Sequence, residues 1–270
     1  MFILFNKFLI NTYLKKMLST ANILANADDL GLNSSVNQAI LCCFEKGYIN
    51  STSLLTNTVH FDETVDLIHA NPVIHRIGVH VNLAGDKPVT NFNNHNYLDE
   101  YGNWDIKKTN KKLIFLSTVD KSAFLKEIYA QIDRALLSQI PIVHLDSHFH
   151  LHTLPGFYQL FLQAAEKYKI KLRLAQTYSE GNSFKFIYRK YINHKFKANH
   201  INYSDYFETV DQFLKSTTRF TTTKNIELML HPDMDSSGKL TDHYDADTMS
   251  NWIMFLDKSR EFSETRQYGR

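Results

Sequence analysis

The sequence predicts an α/β fold built on a parallel sheet or barrel, and three observations point there. Short apolar strand candidates alternate with amphipathic helical stretches along most of the chain. The 270 residues are close to the roughly 250 that a single (β/α) barrel uses. Aspartates and histidines stand at the carboxyl ends of several separate strand candidates, the rim at which α/β proteins gather their chemistry.

The elements follow in order. Asn22–Asn26 is a short apolar strand that runs into Ala27-Asp28-Asp29-Leu30-Gly31. Asn33 is placed to cap a helix whose Val36, Ala39, Ile40, Cys43 and Phe44 recur at helical spacing, with Gly47 as its stop. Residues 52–55 form a second strand candidate, residues 62–70 a short helix and Ile77–Leu83 a third strand. Residues 121–138 read as a long amphipathic helix with Phe124, Ile128, Ile132 and Leu136 on its buried side. Ile140–Val143 then leads into His144-Leu-Asp-Ser-His-Phe-His-Leu-His152, read as an extended strand with His144, Asp146, His148, His150 and His152 on one face. Pro155 opens the next helix, with Phe157, Leu160, Phe161, Ala164 and Ala165 buried; Lys171–Leu174 is the following strand, and Ile226–Leu230 ends at His231-Pro232.

Composition describes one folded unit. Hydrophobic residues make up 43%, aromatic 13% and charged 21% of the chain, which excludes overall disorder. A formal net charge of +2 offers no broad cationic surface, so no nucleic-acid partner is expected. Cys42 and Cys43 are adjacent in an apolar helical pattern and read as buried thiols in a reducing, cytoplasmic setting, not as a disulfide framework. The apolar start, Met1–Ile10, superficially resembles a secretory h-region but lacks a basic n-region before it and a small-residue cleavage site after it. No other segment reaches the about 18 apolar residues that span a bilayer, and no membrane partner is expected. Residues 1–20 are read as a poorly ordered extension and 21–270 as a single domain. Residues 90–111, with Tyr97, Tyr101 and Trp104, read as a long surface loop or lid carrying candidate substrate contacts. Residues 183–200, rich in Lys, Phe and Tyr and free of acids, read as a solvated amphipathic helix in preference to an anion-binding patch.

The chemistry lies in the polar rim. Packing alone gives no reason to set imidazoles along a buried strand, because each needs a hydrogen-bond partner. A divalent ion that activates water needs a few fixed ligands, commonly two histidines and a carboxylate, and an open position. Asp29, His80 and His148 can supply that set. Asp28 beside it can take a proton from the attacking water, and His231 across the rim can protonate a leaving amine. Each residue alone has a plainer reading: Asp28-Asp29 as a helix-capping loop, His80 as a core histidine, His231 as a strand-end turn residue. Their joint placement favours amide hydrolysis.

Four ordered motifs, Asn26-Ala-Asp-Asp-Leu-Gly-Leu32, Gly78-Val-His-Val-Asn-Leu83, His144–His152 and Glu227-Leu-Met-Leu-His-Pro232, resemble those of the YdjC-like carbohydrate deacetylases. The likeness runs from about Ile23 to about Glu261. It implies a distorted (β/α) barrel related to polysaccharide deacetylases, one Mg²⁺ or Zn²⁺ ion, and removal of N-acetyl groups from an acetylated carbohydrate. By motif, Asp28 is the base, Asp29, His80 and His148 the ligands, and His231 the acid. Asn82, His144, Asp146, His150, His152, Arg173 and Glu227 are expected behind the ligands or beside the substrate; from its place on a strand, Arg173 reads as orienting Asp28 or contacting substrate, with an ordinary surface ion pair as the plainer alternative. A homodimer is expected by the same resemblance. Leu30, Ser147 and Ala84 depart from the family's usual Phe, Gly and Thr without removing a proposed ligand. The family pattern continues past Arg260-Glu-Phe to a final strand, whereas this sequence ends at Arg270, so the barrel is expected to lack its last strand. Two competing functions remain: a metal phosphoesterase with a dinuclear centre built from surplus histidines, and a sugar-binding relative without catalysis.

Overall fold

The computed structural model describes residues 22–111, 115–178, 182–215 and 224–267; the expected extension at residues 1–20 lies outside them. Seven parallel strands form one curled sheet: β1 (Asn22–Leu30), β2 (Ser51–Leu54), β3 (Ile77–Val81), β4 (Ile142–Ser147), β5 (Lys171–Leu172), β6 (Tyr206–Thr209) and β7 (Asn225–Leu230). Their order is β5-β4-β3-β2-β1-β7-β6. Three backbone hydrogen bonds draw its two edges together: Leu172 N–H to Ile201 O at 2.6 Å, Tyr203 N–H to Leu172 O at 3.0 Å and Thr177 N–H to Phe207 O at 3.0 Å. The result is the expected distorted barrel, one parallel strand short of eight among the described residues. A short antiparallel hairpin, β8 (Pro232–Met234) with β9 (Leu240–Asp242), follows β7 and stands over α1 (Ser34–Glu45).

Local chemistry sets the helix boundaries. The Asn33 side chain accepts from Val36 N–H at 2.9 Å to start α1, which buries the five apolar residues expected of it, although Cys42 beside them is only half-buried. After α2 (Phe61–Ala70) and the single turn α3 (Ile106–Thr109), the long α4 (Thr118–Leu137) opens on a capping box between Ser117 and Asp120. α4 buries Phe124, Ile128 and Ile132 as expected, but Leu136 is 44% exposed. A strict four-residue spacing drifts by about 40° per step on a helix of 3.6 residues per turn, so the fourth member leaves the buried face. Ala135 takes its place, and Glu127 and Gln131 are buried on the same helix. α5 (Tyr158–Tyr168) begins three residues beyond Pro155. α6 (Ser183–Ala198), α7 (Val210–Lys215) and α8 (Ala246–Gln267) complete the layer. On α6 the plainer reading holds: Arg189, Ile192, Asn193 and Phe196 face inward and most of the lysines face solvent.

The largest departure from the sequence reading is at β4. The strand ends at Ser147, and His148–Thr153 form a tight helical turn with Phe149 (φ 53°) and His150 (φ 56°) in the left-handed region. The histidines therefore do not share one face. Ser147 Oγ accepts the His152 backbone N–H at 2.8 Å and pairs with His152 Nδ1 at 2.8 Å, so the hydroxyl competes for the backbone and ends the strand. The reading of Tyr97 and Trp104 as candidate substrate contacts is also corrected. Tyr97 and Trp104 are buried with Phe92 against Phe124 of α4, and only Tyr101 is exposed. Those rings anchor the loop; its backbone is held from below by Glu127, which accepts from Val89 N–H, Thr90 N–H and Thr90 Oγ.

At the barrel floor, His144 lies across Gly78 and stacks on Tyr203 with ring centroids 4.4 Å apart. A Cβ at residue 78 would stand 2.2 Å from His144 Nε2. Gly78→Ala is expected to destabilise the fold by about 1–3 kcal/mol through overpacking, read by chemical denaturation. Adding His144→Ala should recover part of that loss, because it removes the ring the methyl group meets.

Candidate metal centre

β1 delivers two acids with opposite orientations. Asp28 is still in the strand and points into the barrel, where Arg173 grips both its oxygens: Nη1 to Oδ2 at 2.6 Å and Nη2 to Oδ1 at 2.7 Å. Asn26 Nδ2 adds a third donor to Oδ1 at 2.8 Å. Asp29 sits at φ 68°, and this left-handed step turns its carboxylate out toward the rim. A bulge in the pairing of β1 with β2 accompanies it.

Asp29 meets the two histidines named from the sequence. Its Oδ1 lies 2.9 Å from His148 Nδ1 and 3.3 Å from His80 Nε2. One ligand atom from each of the three residues falls within 4.8 Å of the others. Oδ1 is buried and accepts no hydrogen bond among the described residues, although two imidazole nitrogens stand beside it. A buried carboxylate oxygen standing 2.9 and 3.3 Å from two imidazole nitrogens, with a well-formed hydrogen bond to neither, is an arrangement that a divalent ion would satisfy, so this donor set fits one. A second group, Asp28, His80 and Asp146, is equally close. It suits an ion less well, because Arg173 already holds both carboxylates and its fixed charge would oppose the ion.

The residues behind Asp29, His80 and His148 set tautomers and charge. Asp146 Oδ1 takes the Nδ1 side of His80 at 2.7 Å, which leaves Nε2 facing Asp29. Asp146 Oδ2 is held by Ser53 Oγ at 2.7 Å and by Arg173 Nη2 at 2.8 Å. Burial disfavours a charged His80, but Asp146, with Asp28 and Asp29, overcomes this and pushes its pKa up to about 10. Burial likewise opposes ionisation of Asp28 and Asp29. Arg173 nonetheless lowers the first and the surrounding histidines hold the second well below the usual carboxylate range. Glu227 accepts from Arg173 Nε at 2.6 Å, yet burial wins there and lifts its carboxyl to about 7.

The remaining named residues are placed as follows. His231 is 14% exposed, 3.8 Å from Asp242, with its pKa lowered mainly by burial. Asn82 shapes the loop after β3, accepting from Ala84 N–H and donating to Gly85 O. His144 bonds Ser53 Oγ at the floor, away from the ion position, and burial lowers its pKa to about 4. His150 turns inward against Phe207, its pKa lowered to about 3 mainly by burial, and His152 is locked to Ser147. Sequence reasoning missed His243, whose Nε2 reaches Asp29 Oδ2 at 3.2 Å.

Residues 22–265 match the family described as YdjC-like protein. The chain belongs to that family. Among relatives of this YdjC-like chain, a carbohydrate deacetylase of Vibrio campbellii is 31% identical over 153 residues, 56% of this chain and 58% of the relative. The chain thus spans little more than half the length of that relative. A carbohydrate deacetylase of Brevibacillus brevis is 25% identical over 78% of this chain and 80% of its own length. A crystal structure from Enterococcus faecalis V583, provisionally named a cellobiose-phosphate cleavage protein, superposes with a TM-score of 0.67 at 19% identity. It covers 92% of this chain and 95% of its own and shows that the fold is shared. No described helix of the YdjC-like chain is long and apolar enough to cross a membrane.

The raised His80 pKa carries a pH signature. Metal-free, the imidazolium pair contributes stability that is complete below pH 6.5 and is lost as the pH rises through about 10. An ion at Nε2 must displace that proton. Zn²⁺ binding at pH 8 is therefore expected to release about one proton per ion, with affinity rising about tenfold per pH unit between about 7 and about 9. Titration calorimetry in buffers of different ionisation enthalpy measures this, and binding without proton release would contradict it.

Proposed function

We propose that the protein is a metal-dependent carbohydrate deacetylase that hydrolyses the N-acetyl group of an acetylated amino sugar or oligosaccharide. The observation that carries this is the Asp29, His80 and His148 donor set with a separate, strongly held carboxylate, Asp28, directly beside it. The names of the relatives support the carbohydrate substrate. Two imidazoles with one carboxylate suit Zn²⁺ better than Mg²⁺, which prefers oxygen ligands and keeps its waters. Such an ion would supply Lewis acidity, lowering the proton affinity of water and drawing charge from the acetyl carbonyl.

The chain's own residues divide the remaining work. Asp28 is the base: Arg173 keeps it ionised at neutral pH, and while Oδ1 takes two donors, Oδ2 takes one and retains a lone pair for a proton. Arg173 also fixes the direction in which that lone pair points. His231 is the acid that protonates the departing sugar amine. Burial leaves its imidazole neutral at rest, so its proton must arrive within the turnover, favoured by the Asp28, Asp29 and Asp242 charges that oppose the burial effect. His150, inward of the rim and uncharged at neutral pH, is placed to contact substrate without adding charge.

Acetate release from N-acetylated oligosaccharides tests the reading. Asp28→Asn should lower turnover by about 10²–10⁴-fold, the usual worth of a general base, and leave Zn²⁺ binding nearly unchanged. Full activity in that variant would remove Asp28 from the role. Counting metal by elemental analysis should give one ion per chain; two ions with phosphomonoester hydrolysis would favour the phosphoesterase instead.

A further inference from the structure

We infer that His243 is a positioning residue for Asp29: by holding one carboxylate oxygen it presents the other alone to the two imidazoles. The contact is direct, His243 Nε2 to Asp29 Oδ2 at 3.2 Å, while Oδ1 faces His148 and His80 on the opposite side of the same carboxylate. The torsion that spins an aspartate carboxylate is broad and nearly two-fold. Backbone geometry at Asp29 therefore sets where the group is and leaves which oxygen faces inward undetermined. A donor on Oδ2 removes that freedom and disfavours two-oxygen chelation.

His243 is held firmly enough for the task. Its backbone N–H donates to His231 O at 3.1 Å, tying the end of the β8–β9 hairpin to the end of β7. The neighbouring Asp242 Oδ2 accepts His231 N–H at 2.7 Å, and Asp242 Oδ1 accepts from Tyr244 and Asp245 N–H at 3.0 and 3.2 Å. The hairpin thus arrives at the rim with its backbone bonded on both sides. His243 Nδ1 is buried and has no hydrogen-bond partner among the described residues. That matches the tautomer with its proton on Nε2, since a bare acceptor is the less costly nitrogen to leave unpaired. His243 is absent from the set of mutually close donor atoms, which separates positioning from ligation.

The inference rests on the Asp29, His80 and His148 reading of the centre, and one experiment separates the two. Zn²⁺ affinity is measured by chelator competition for the wild-type chain, His243→Ala and His243→Gln, with the metal-free melting temperature of each. Ala should weaken binding by about 10- to 100-fold, as loss of a partner behind a ligand does, and Gln, which restores an N–H donor, should recover most of it. Melting temperatures of the metal-free forms should stay close together. Wild-type affinity in the Ala variant, or a Gln variant as weak as Ala, would overturn the role of His243 and leave the centre standing. Failure of the wild-type chain itself to bind Zn²⁺ would overturn the centre, and His243 with it.

Discussion

The Arg173 guanidinium, fully buried inside the barrel, pairs with Asp28, Asp146 and Glu227 from three different strands at 2.6–2.8 Å. No other described cation could neutralise those acids together except the His80 imidazolium, which Asp146 also holds. Two ionised aspartates, Asp28 and Asp146, against one guanidinium and one imidazolium leave no net charge, and burial lifts the Glu227 carboxyl to about 7, so that it adds little further negative charge. Deleting Arg173 would leave buried charges unpaired, a loss of about 3–5 kcal/mol for a pair of this kind. The orientation of Asp28, the tautomer of His80 and the closing of β1, β4 and β7 around one point all depend on that single side chain.

This balance explains why two adjacent aspartates behave differently. Asp28 belongs to the inner network, where Arg173 holds both its oxygens. Asp29 has no guanidinium; its charge is met by His80, His148 and His243. An ion held at Asp29, His80 and His148 would leave the direct pair of Asp28 with Arg173 in place. The main partners of the two carboxylates are therefore different cations on opposite sides of a left-handed residue, Arg173 for Asp28 and the imidazoles for Asp29, with His80 coupled to both. The strain of placing an L-residue at φ 68° is about 1–2 kcal/mol, modest for an aspartate, and it divides the two roles.

Much of the fold was legible because burial and period agree in it. The strands and α1 follow apolar runs with local caps, and the rim residues Asp28, Asp29, His80 and His231 stand where strands end. The histidine run was misread because period two is necessary for a strand and does not prove one. Histidine or aspartate stands at every second position up to His152, yet Ser147 captures the backbone and two left-handed residues, neither of them glycine, turn the chain. Nothing in a one-dimensional pattern announces that turn. Tyr97 and Trp104 read as candidate substrate contacts because aromatics in a polar loop look available, whereas a long loop must anchor itself somewhere and Phe124 offers the surface.

His243 was invisible for a different reason. It belongs to no apolar run, follows a hairpin of three-residue strands and stands 214 residues from its partner Asp29. The signal that could have found it is indirect: Asp242-His243-Tyr244 repeats the acid and imidazole pairing of the rim close after His231. Tertiary contact makes that signal meaningful, because Asp242 holds the His231 backbone and thereby fixes the distance at which His243 returns to β1. The hairpin supplies no strand to the barrel. Its contribution is geometric, a second approach to the Asp29 carboxylate from the side that β3 and β4 leave open, and so the rim is completed by a segment outside the parallel sheet.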